Sequence, residues 1–303
     1  MSMDLDERAE TFRVVGVLGA GQMGGGIAQV AAASGYDVRL ADATVELAEK
    51  GKAKVGAALA KLVEKEKMSA DMRDSLLARI TPVEGAKSFA ECDLVVEAAT
   101  ESFDLKVKLL KECDAAMPRH ALLASNTSSI SITKLAAATS RADQVIGMHF
   151  MNPPPLMKLI EIVRGVQTSN DTHGLTSRIA TRMGKTVITS KDMPGFLVNR
   201  ILIPMLNEAC FALQEGLGTP EDIDTGAKLG LNHPMGPFEL ADLIGLDTML
   251  YIAETFHKDF GDDKYRPSSL LRNLVAAGWY GRKTRRGFYV YDEKGTRTGR
   301  AIP

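Results

Sequence analysis

The sequence predicts an α/β chain: a doubly wound, mostly parallel sheet followed by a smaller, all-helical domain. Three observations predict it. Short apolar runs alternate with helical periodicity through the first two thirds of the chain. A Gly-x-Gly-x-x-Gly turn joins the first of these runs to a helix. After Pro194 only helical patterns continue, until one short extended segment near the C-terminus.

The elements follow in order. Phe12–Leu18 reads as a buried strand, and it runs into Gly19-Ala20-Gly21-Gln22-Met23-Gly24 and a helix over 22–34. Gly19 permits the tight turn, Gly21 lets backbone approach a pyrophosphate at the helix N-terminus, and Gly24 lets helix and strand pack closely. A second strand, Asp37–Ala41, ends at Asp42, where a carboxylate can accept both ribose hydroxyls. This combination marks a Rossmann-type dinucleotide-binding domain. Asp42 repels a 2′-phosphate, so NAD is expected rather than NADP. Arg39 is read as a solvated edge residue. A long helical stretch over 45–67 breaks at Ser69 and resumes to Arg79. Strands are expected over 93–98, 121–125, 145–148, 157–163 and 185–190, with a helix over 105–116. Beyond Asp192-Met193-Pro194-Gly195, helices are expected over 199–215, 221–229, 237–260 and 268–277. The expected domains are therefore 1–193, binding the dinucleotide, and 194–303, helical. The second is too small to bury its apolar faces alone, so it is expected to dimerise or to close over the first.

Composition narrows the function classes. At 303 residues, 45% hydrophobic and 25% charged, the chain can bury a sizeable core. A net charge of −1 gives no general pull toward nucleic acid or membrane surfaces. No apolar run reaches the ~18 residues of a membrane span. The stretch Met1–Glu10 is acidic and polar, without the marks of a signal peptide. Cys92, Cys113 and Cys210 are scattered without metal-ligand spacing, so no metal is expected and reduced, cytoplasmic thiols are.

The chemistry is expected at Gly147-Met148-His149-Phe150-Met151-Asn152-Pro153 and at Glu161. These place a histidine and a carboxylate on neighbouring extended segments with a turn between. Imidazole exchanges a proton near neutral pH, and a carboxylate on its other nitrogen fixes the tautomer and stabilises the imidazolium. That suits removal of an alcohol proton while a dinucleotide takes the hydride. Glu161 lies among Leu159, Ile160, Ile162 and Val163, and a charge inside such a run calls for a partner. Ser125–Ser129 follows a strand end, where open α/β sheets bind ligands. Ser128 serves a ligand there or caps the next helix, with Ser129 as the other candidate cap. From the residues alone, Asn199 reads as a helix cap.

Six motifs occur together and in order: Gly19–Gly24, Ser125-Asn126-Thr127-Ser128-Ser129, His149–Pro153, Met157-Lys158-Leu159-Ile160-Glu161, Pro194–Arg200 and Pro234–Leu240. With these the chain closely resembles the L-3-hydroxyacyl-CoA dehydrogenases, from about Arg13 to Tyr291. The resemblance is strongest to the single-function bacterial 3-hydroxybutyryl-CoA dehydrogenases. It implies reversible, NAD-dependent oxidation of a short-chain (S)-3-hydroxyacyl-CoA to the 3-ketoacyl-CoA, as in fatty-acid or butanoate metabolism. It also implies roles. His149 stands at the base's position and Glu161 at that of its orienting carboxylate. Ser128 and Asn199 stand where the family holds the substrate oxygens. Glu101 and Lys106 stand at positions near the nicotinamide half of NAD. Gln22, Met23, Asn126 and Asn152 fall within the cofactor-contacting motifs. Lys61 and Lys65 stand where basic side chains meet CoA phosphates, although Ala58 replaces a serine of some relatives in that helix. A homodimer through the helical domain is expected. Two alternatives remain at this level: a gulonate-type sugar-acid dehydrogenase of the same superfamily, and a non-catalytic dinucleotide-binding structural protein. One departure is visible, Arg285 where the family usually has glycine; if that position needs positive φ, it is strained.

Overall fold

The computed structural model describes residues 4–302; residues 1–3 of the acidic N-terminal stretch lie outside the described residues. The chain forms two compact units, one ending at Met193 and the other beginning at Pro194.

The first unit contains α1 (Leu5–Thr11), β1 (Val14–Leu18), α2 (Gln22–Ala33), β2 (Asp37–Asp42), α3 (Val45–Glu64), α4 (Ala70–Ala78), β3 (Ile80–Glu84), β4 (Leu94–Glu97), α5 (Phe103–Ala116), β5 (Leu122–Ser125), α6 (Ile132–Ala136), β6 (Val145–Phe150), β7 (Leu159–Arg164), α7 (Asn170–Arg182) and β8 (Thr186–Lys191). Its sheet has eight strands in the order β3-β2-β1-β4-β5-β6-β7-β8. Every neighbouring pair is parallel except β6 with β7. The chain winds outward from β1 to β3 and then returns to β4. The strand order thus reverses between β1 and β4, and the crevice at their C-terminal ends is where such sheets take ligands. Buried Val17, Ile27, Leu40, Val96, Ile146 and Met148 form the core between sheet and helices.

Local chemistry explains most boundaries. The break between α3 and α4 falls where Ser69 caps α4, its hydroxyl accepting from Met72 N at 3.1 Å. Between β1 and α2, Gly19 has φ +103°, and a Cβ on Gly24 would sit 1.7 Å from Gly19 O. No other residue fits there, and the close packing expected of the glycine motif follows.

Three elements of this unit were not anticipated: α1, whose N-cap Asp4 accepts from Asp6 N and Glu7 N, β3 and α7. β3 contains Pro82, which argues against a central strand; here the strand is the sheet edge, where a missing N–H is tolerated. α7 is rich in Ser, Thr and Gly, which masks its period, yet Leu175, Ile179 and Ala180 line one buried face.

The second unit contains α8 (Val198–Gln214), α9 (Pro220–Thr225), α10 (Pro237–Ile244), α11 (Leu246–Phe260), α12 (Ser269–Ala276) and the strands β9 (Tyr289–Tyr291) and β10 (Arg297–Arg300). The antiparallel pair β9–β10 makes this unit helical with an appended hairpin rather than all-helical. The expected single helix over 237–260 is two, because Gly245 takes φ +104° and breaks the ladder. Phe238, Met249, Phe256, Phe288 and Tyr289 form its core. Arg285 is exposed and left-handed at φ 59°, so the departure noted in the sequence does carry strain.

Candidate active site

The strands β6 and β7 decide the central geometry. Their antiparallel register sets His149 directly opposite Glu161. Directly opposed residues carry Cβ atoms about 4.5–5.5 Å apart, close enough for the side chains to meet. His149 Nδ1 and Glu161 Oε2 are 2.7 Å apart. Glu161 is fully buried and His149 is 8% exposed, so the carboxylate is held inside while the imidazole reaches the surface of the core. With Nδ1 committed to the carboxylate, proton exchange with a ligand falls to Nε2.

The loop after β5 is tied to the same strand. Ser125 pairs with Gly147 in the parallel β5–β6 ladder. Asn126 Oδ1 accepts from Phe150 N at 2.9 Å, joining the serine-rich loop to the residue after His149. The Asn126 side-chain oxygen is therefore held by the backbone. Glu101 organises the rest of the loop. Its Oε1 accepts from Thr127 Oγ1 at 2.5 Å, Ser128 N at 3.0 Å, Ser129 N at 3.2 Å and Ser129 Oγ at 3.1 Å. Burial raises the Glu101 carboxyl, but the Lys106 charge and these hydrogen bonds outweigh it and hold it below the usual carboxylate range. Ser128 Oγ lies 3.4 Å from Glu101 Oε1, a long contact for a hydroxyl. Neither Ser128 nor Ser129 caps α6. Ser131 does, its hydroxyl accepting from Lys134 N at 3.2 Å, while Asp192 accepts from Ile132 N and Thr133 N.

Lys106 sits beneath this loop, 1% exposed. Its ammonium donates to Glu97 at 2.7 and 3.0 Å and to Ala99 O at 3.2 Å, and it stands 3.4 Å from Glu101. The ammonium is thus enclosed by Glu97, the Ala99 carbonyl and Glu101. Glu97, wholly buried, also accepts from Ser125 Oγ at 2.6 Å. This residue was missed from the sequence, although the signal was the one that marked Glu161, a carboxylate within an apolar strand.

At the head of the sheet, Gly21 is the N-cap of α2 and makes no side-chain capping bond. The N–H groups of Gln22, Met23 and Gly24 in the first turn thus have the character of an anion site. A Cβ on Gly21 would meet nothing within 4 Å, while Asp42 accepts from Ala20 N at 2.7 Å and Ala43 N at 2.8 Å. Asp42 therefore shapes the glycine loop as well as presenting its charge at the tip of β2. Gln22 Nε2 donates to Asn152 Oδ1 at 3.1 Å, placing the Asn-Pro turn beside the helix start. The Asn152–Pro153 bond is cis. These residues fit a dinucleotide. Arg39 is half-buried on β2, inside the edge strand β3, and pairs with exposed Glu91, so it is not the solvated edge residue expected.

Lys61 is exposed in the last turn of α3 and Lys65 is exposed at its C-cap. Asn199 belongs to the second unit. It lies inside α8, whose N-cap is Leu197, so the capping role read from the sequence is not its role.

Comparison with known proteins agrees with this geometry. Residues 14–193 match the 3-hydroxyacyl-CoA dehydrogenase NAD-binding domain, and residues 195–291 match the 3-hydroxyacyl-CoA dehydrogenase C-terminal domain. The chain belongs to the 3-hydroxyacyl-CoA dehydrogenase family. It is 53% identical over 276 residues to a probable 3-hydroxybutyryl-CoA dehydrogenase of Deinococcus radiodurans, covering 91% of this chain and 99% of that one. The 3-hydroxybutyryl-CoA dehydrogenase of Bradyrhizobium diazoefficiens is 49% identical over 283 residues, covering 93% and 97%. The crystal structure of an (S)-3-hydroxybutyryl-CoA dehydrogenase from Ralstonia eutropha superposes with a TM-score of 0.90 at 53% identity, covering 93% of this chain and all of that one.

Proposed function

We propose that this protein catalyses the reversible, NAD-dependent oxidation of short-chain (S)-3-hydroxyacyl-CoA, 3-hydroxybutyryl-CoA being the reference substrate, to the 3-ketoacyl-CoA. The observation that carries the reading is the buried His149–Glu161 pair at 2.7 Å, on strands tied to a dinucleotide-binding crevice. When bound, NAD supplies the hydride acceptor. The first turn of α2 would hold its pyrophosphate, and Asp42 its ribose. His149 Nε2 removes the 3-hydroxyl proton in the oxidative direction and returns it in the reductive one. Glu161 stabilises the imidazolium that forms and keeps Nδ1 protonated. Ser128, ordered by Glu101, holds the reacting substrate oxygen, so the reacting carbon arrives aligned. Lys106 supports Glu101 from below. Exposed Lys61 and Lys65 pair with CoA phosphates.

The reading includes a homodimer formed through the second unit. Ile201 (69% exposed), Leu217 (81%) and Leu229 (83%) are apolar side chains there that a second copy would cover. It includes a cytoplasmic setting, which suits three unpaired, buried cysteines.

The test is NADH oxidation followed by absorbance with acetoacetyl-CoA, beside free acetoacetate and longer 3-ketoacyl-CoA substrates. Rapid turnover of the short thioester is expected, with a loss of about 10²- to 10⁴-fold in His149→Gln at nearly unchanged NADH affinity. His149→Gln turnover within threefold of wild type would remove the assignment.

A further inference from the structure

The turn between the two catalytic strands poses a backbone problem that one distant side chain solves. Residues 153–155 are three consecutive prolines, so this stretch offers carbonyls but no N–H donors. Pro153 O accepts from Leu156 N at 3.0 Å and Met157 N at 3.1 Å, which closes the turn on itself. The carbonyls of Pro154 and Met157 are taken instead by Lys185, whose Nζ donates to them at 2.6 and 2.8 Å. Lys185 is 8% exposed. Its backbone is rigid at that point, since Lys185 N donates to Ala180 O and Thr186 N to Lys158 O as α7 gives way to β8. Burial pushes its ammonium below the usual lysine range. A lysine held this way, with two carbonyls as its hydrogen-bond acceptors, costs stability that a neutral residue would not.

The opposite side of the turn is equally constrained. Buried Pro154 packs on Gly26 of α2 so closely that a Cβ there would lie 2.9 Å from Pro154 Cδ and 3.0 Å from Cγ. Gln22, at the start of the same helix, holds Asn152. The turn is therefore clamped between the helix whose N-terminus faces the cofactor and a buried ammonium. The strands it joins carry His149 and Glu161.

We propose that Lys185 is a positioning residue for the reaction. Its ammonium clamps the 153–157 turn against α2 and so fixes the distance from His149 to the reacting carbon. The inference rests on the assignment of His149 as the proton carrier. A displacement of about 1 Å at a reacting group can cost on the order of 10²-fold in rate.

The test uses the full-length protein with three variants. Lys185→Met keeps the stem and removes the charge, Lys185→Arg restores a cation, and Gly26→Ala pushes on the turn from the other side. For each, kcat with acetoacetyl-CoA is measured per NADH-binding site. The isotope effect is measured on kcat with NADH deuterated on both faces of C4, and NADH affinity by fluorescence. Lys185→Met and Gly26→Ala are each expected to lower kcat by about 10-fold or more, with a larger isotope effect, because hydride transfer becomes slower relative to release. NADH affinity of Lys185→Met should stay within about threefold, and Lys185→Arg should recover part of kcat. A purely structural lysine would give fewer binding sites but unchanged kcat per site and an unchanged isotope effect, which overturns the proposal. If Lys185→Met does not fold, Gly26→Ala and Lys185→Arg decide on the same two readouts. His149→Gln run in parallel separates the cases: an active His149→Gln defeats the site assignment, whereas an inactive one beside a fully active Lys185→Met defeats only the clamp.

Discussion

Replacing Glu161 by glutamine tests the acid–base assignment most directly. The change is nearly isosteric at a fully buried position, and the pair it leaves is neutral. Folding should therefore survive, since the substitution removes a buried charge rather than exposing one. What is lost is the interaction that grows during the reaction. As His149 takes the proton, an imidazolium forms beside Oε2, 2.7 Å from Nδ1. Two unit charges centred about 4 Å apart attract by roughly 4 kcal/mol at an effective dielectric of about 20. The glutamine amide retains part of this as an ordinary hydrogen bond of about 1 kcal/mol. The remaining ~3 kcal/mol corresponds to a fall in kcat of about 10²-fold. A second loss adds to it where the amide turns its NH₂ toward Nδ1, which fixes the wrong tautomer and leaves Nε2 protonated. The expected result is a fall of 10²- to 10³-fold in kcat for 3-hydroxybutyryl-CoA oxidation, the direction in which the imidazolium forms, with NADH affinity within about threefold and an unchanged melting curve. Turnover within threefold of wild type would refute the reasoning, and so would an equal loss confined to NADH binding.

Three further outcomes are expected. Asp42→Ala removes both the charge at the tip of β2 and two charge-assisted bonds from Ala20 N and Ala43 N. NADH should weaken by about 10- to 100-fold while NADPH changes little, and equal use of both cofactors by the unaltered protein would contradict the role. Arg285→Gly should stabilise the protein by about 1 kcal/mol in denaturant unfolding, because the left-handed φ of 59° suits glycine and the exposed ion pair to Glu293 that is lost contributes little. Burial pushes the Asp242 carboxyl up to about 6, against the hydrogen bonds it receives from Phe288 N, Tyr289 N and Tyr291 Oη. With the folded value above the unfolded one, the folded state holds the extra proton. Its contribution is then present below about pH 4 and is lost as pH rises through 6, by about 3 kcal/mol. The stability difference between wild type and Asp242→Asn should shrink over that window, and a flat difference would show that the carboxyl is ionised throughout.

Particular residues show why some of this was legible in the sequence. The glycine loop, Asp42 and the break at Ser69 are local, because each depends on backbone geometry within a few residues. His149 and Glu161 were also legible, since a short hairpin brings nearby strands into register. β3 and α7 were not, because Pro82 and the Ser/Thr content argue locally against elements that edge placement and packing permit. Ser128, Ser129 and Ser131 illustrate the limit. All three are plausible caps by residue type, and only the path of the chain past Asp192 selects Ser131.

By itself, then, the sequence determined most of the elements and which chemical groups the chain carries, because hydrophobic period and turn chemistry act over a few residues. The tertiary structure decided which groups meet. Glu97 finds Ser125 across 28 residues, Lys185 finds the carbonyls of Pro154 and Met157 across 31 and 28, and Lys106 is drawn beneath Glu101. Such pairings follow from strand order and from the requirement that every buried charge and carbonyl find a partner once the sheet has closed around it.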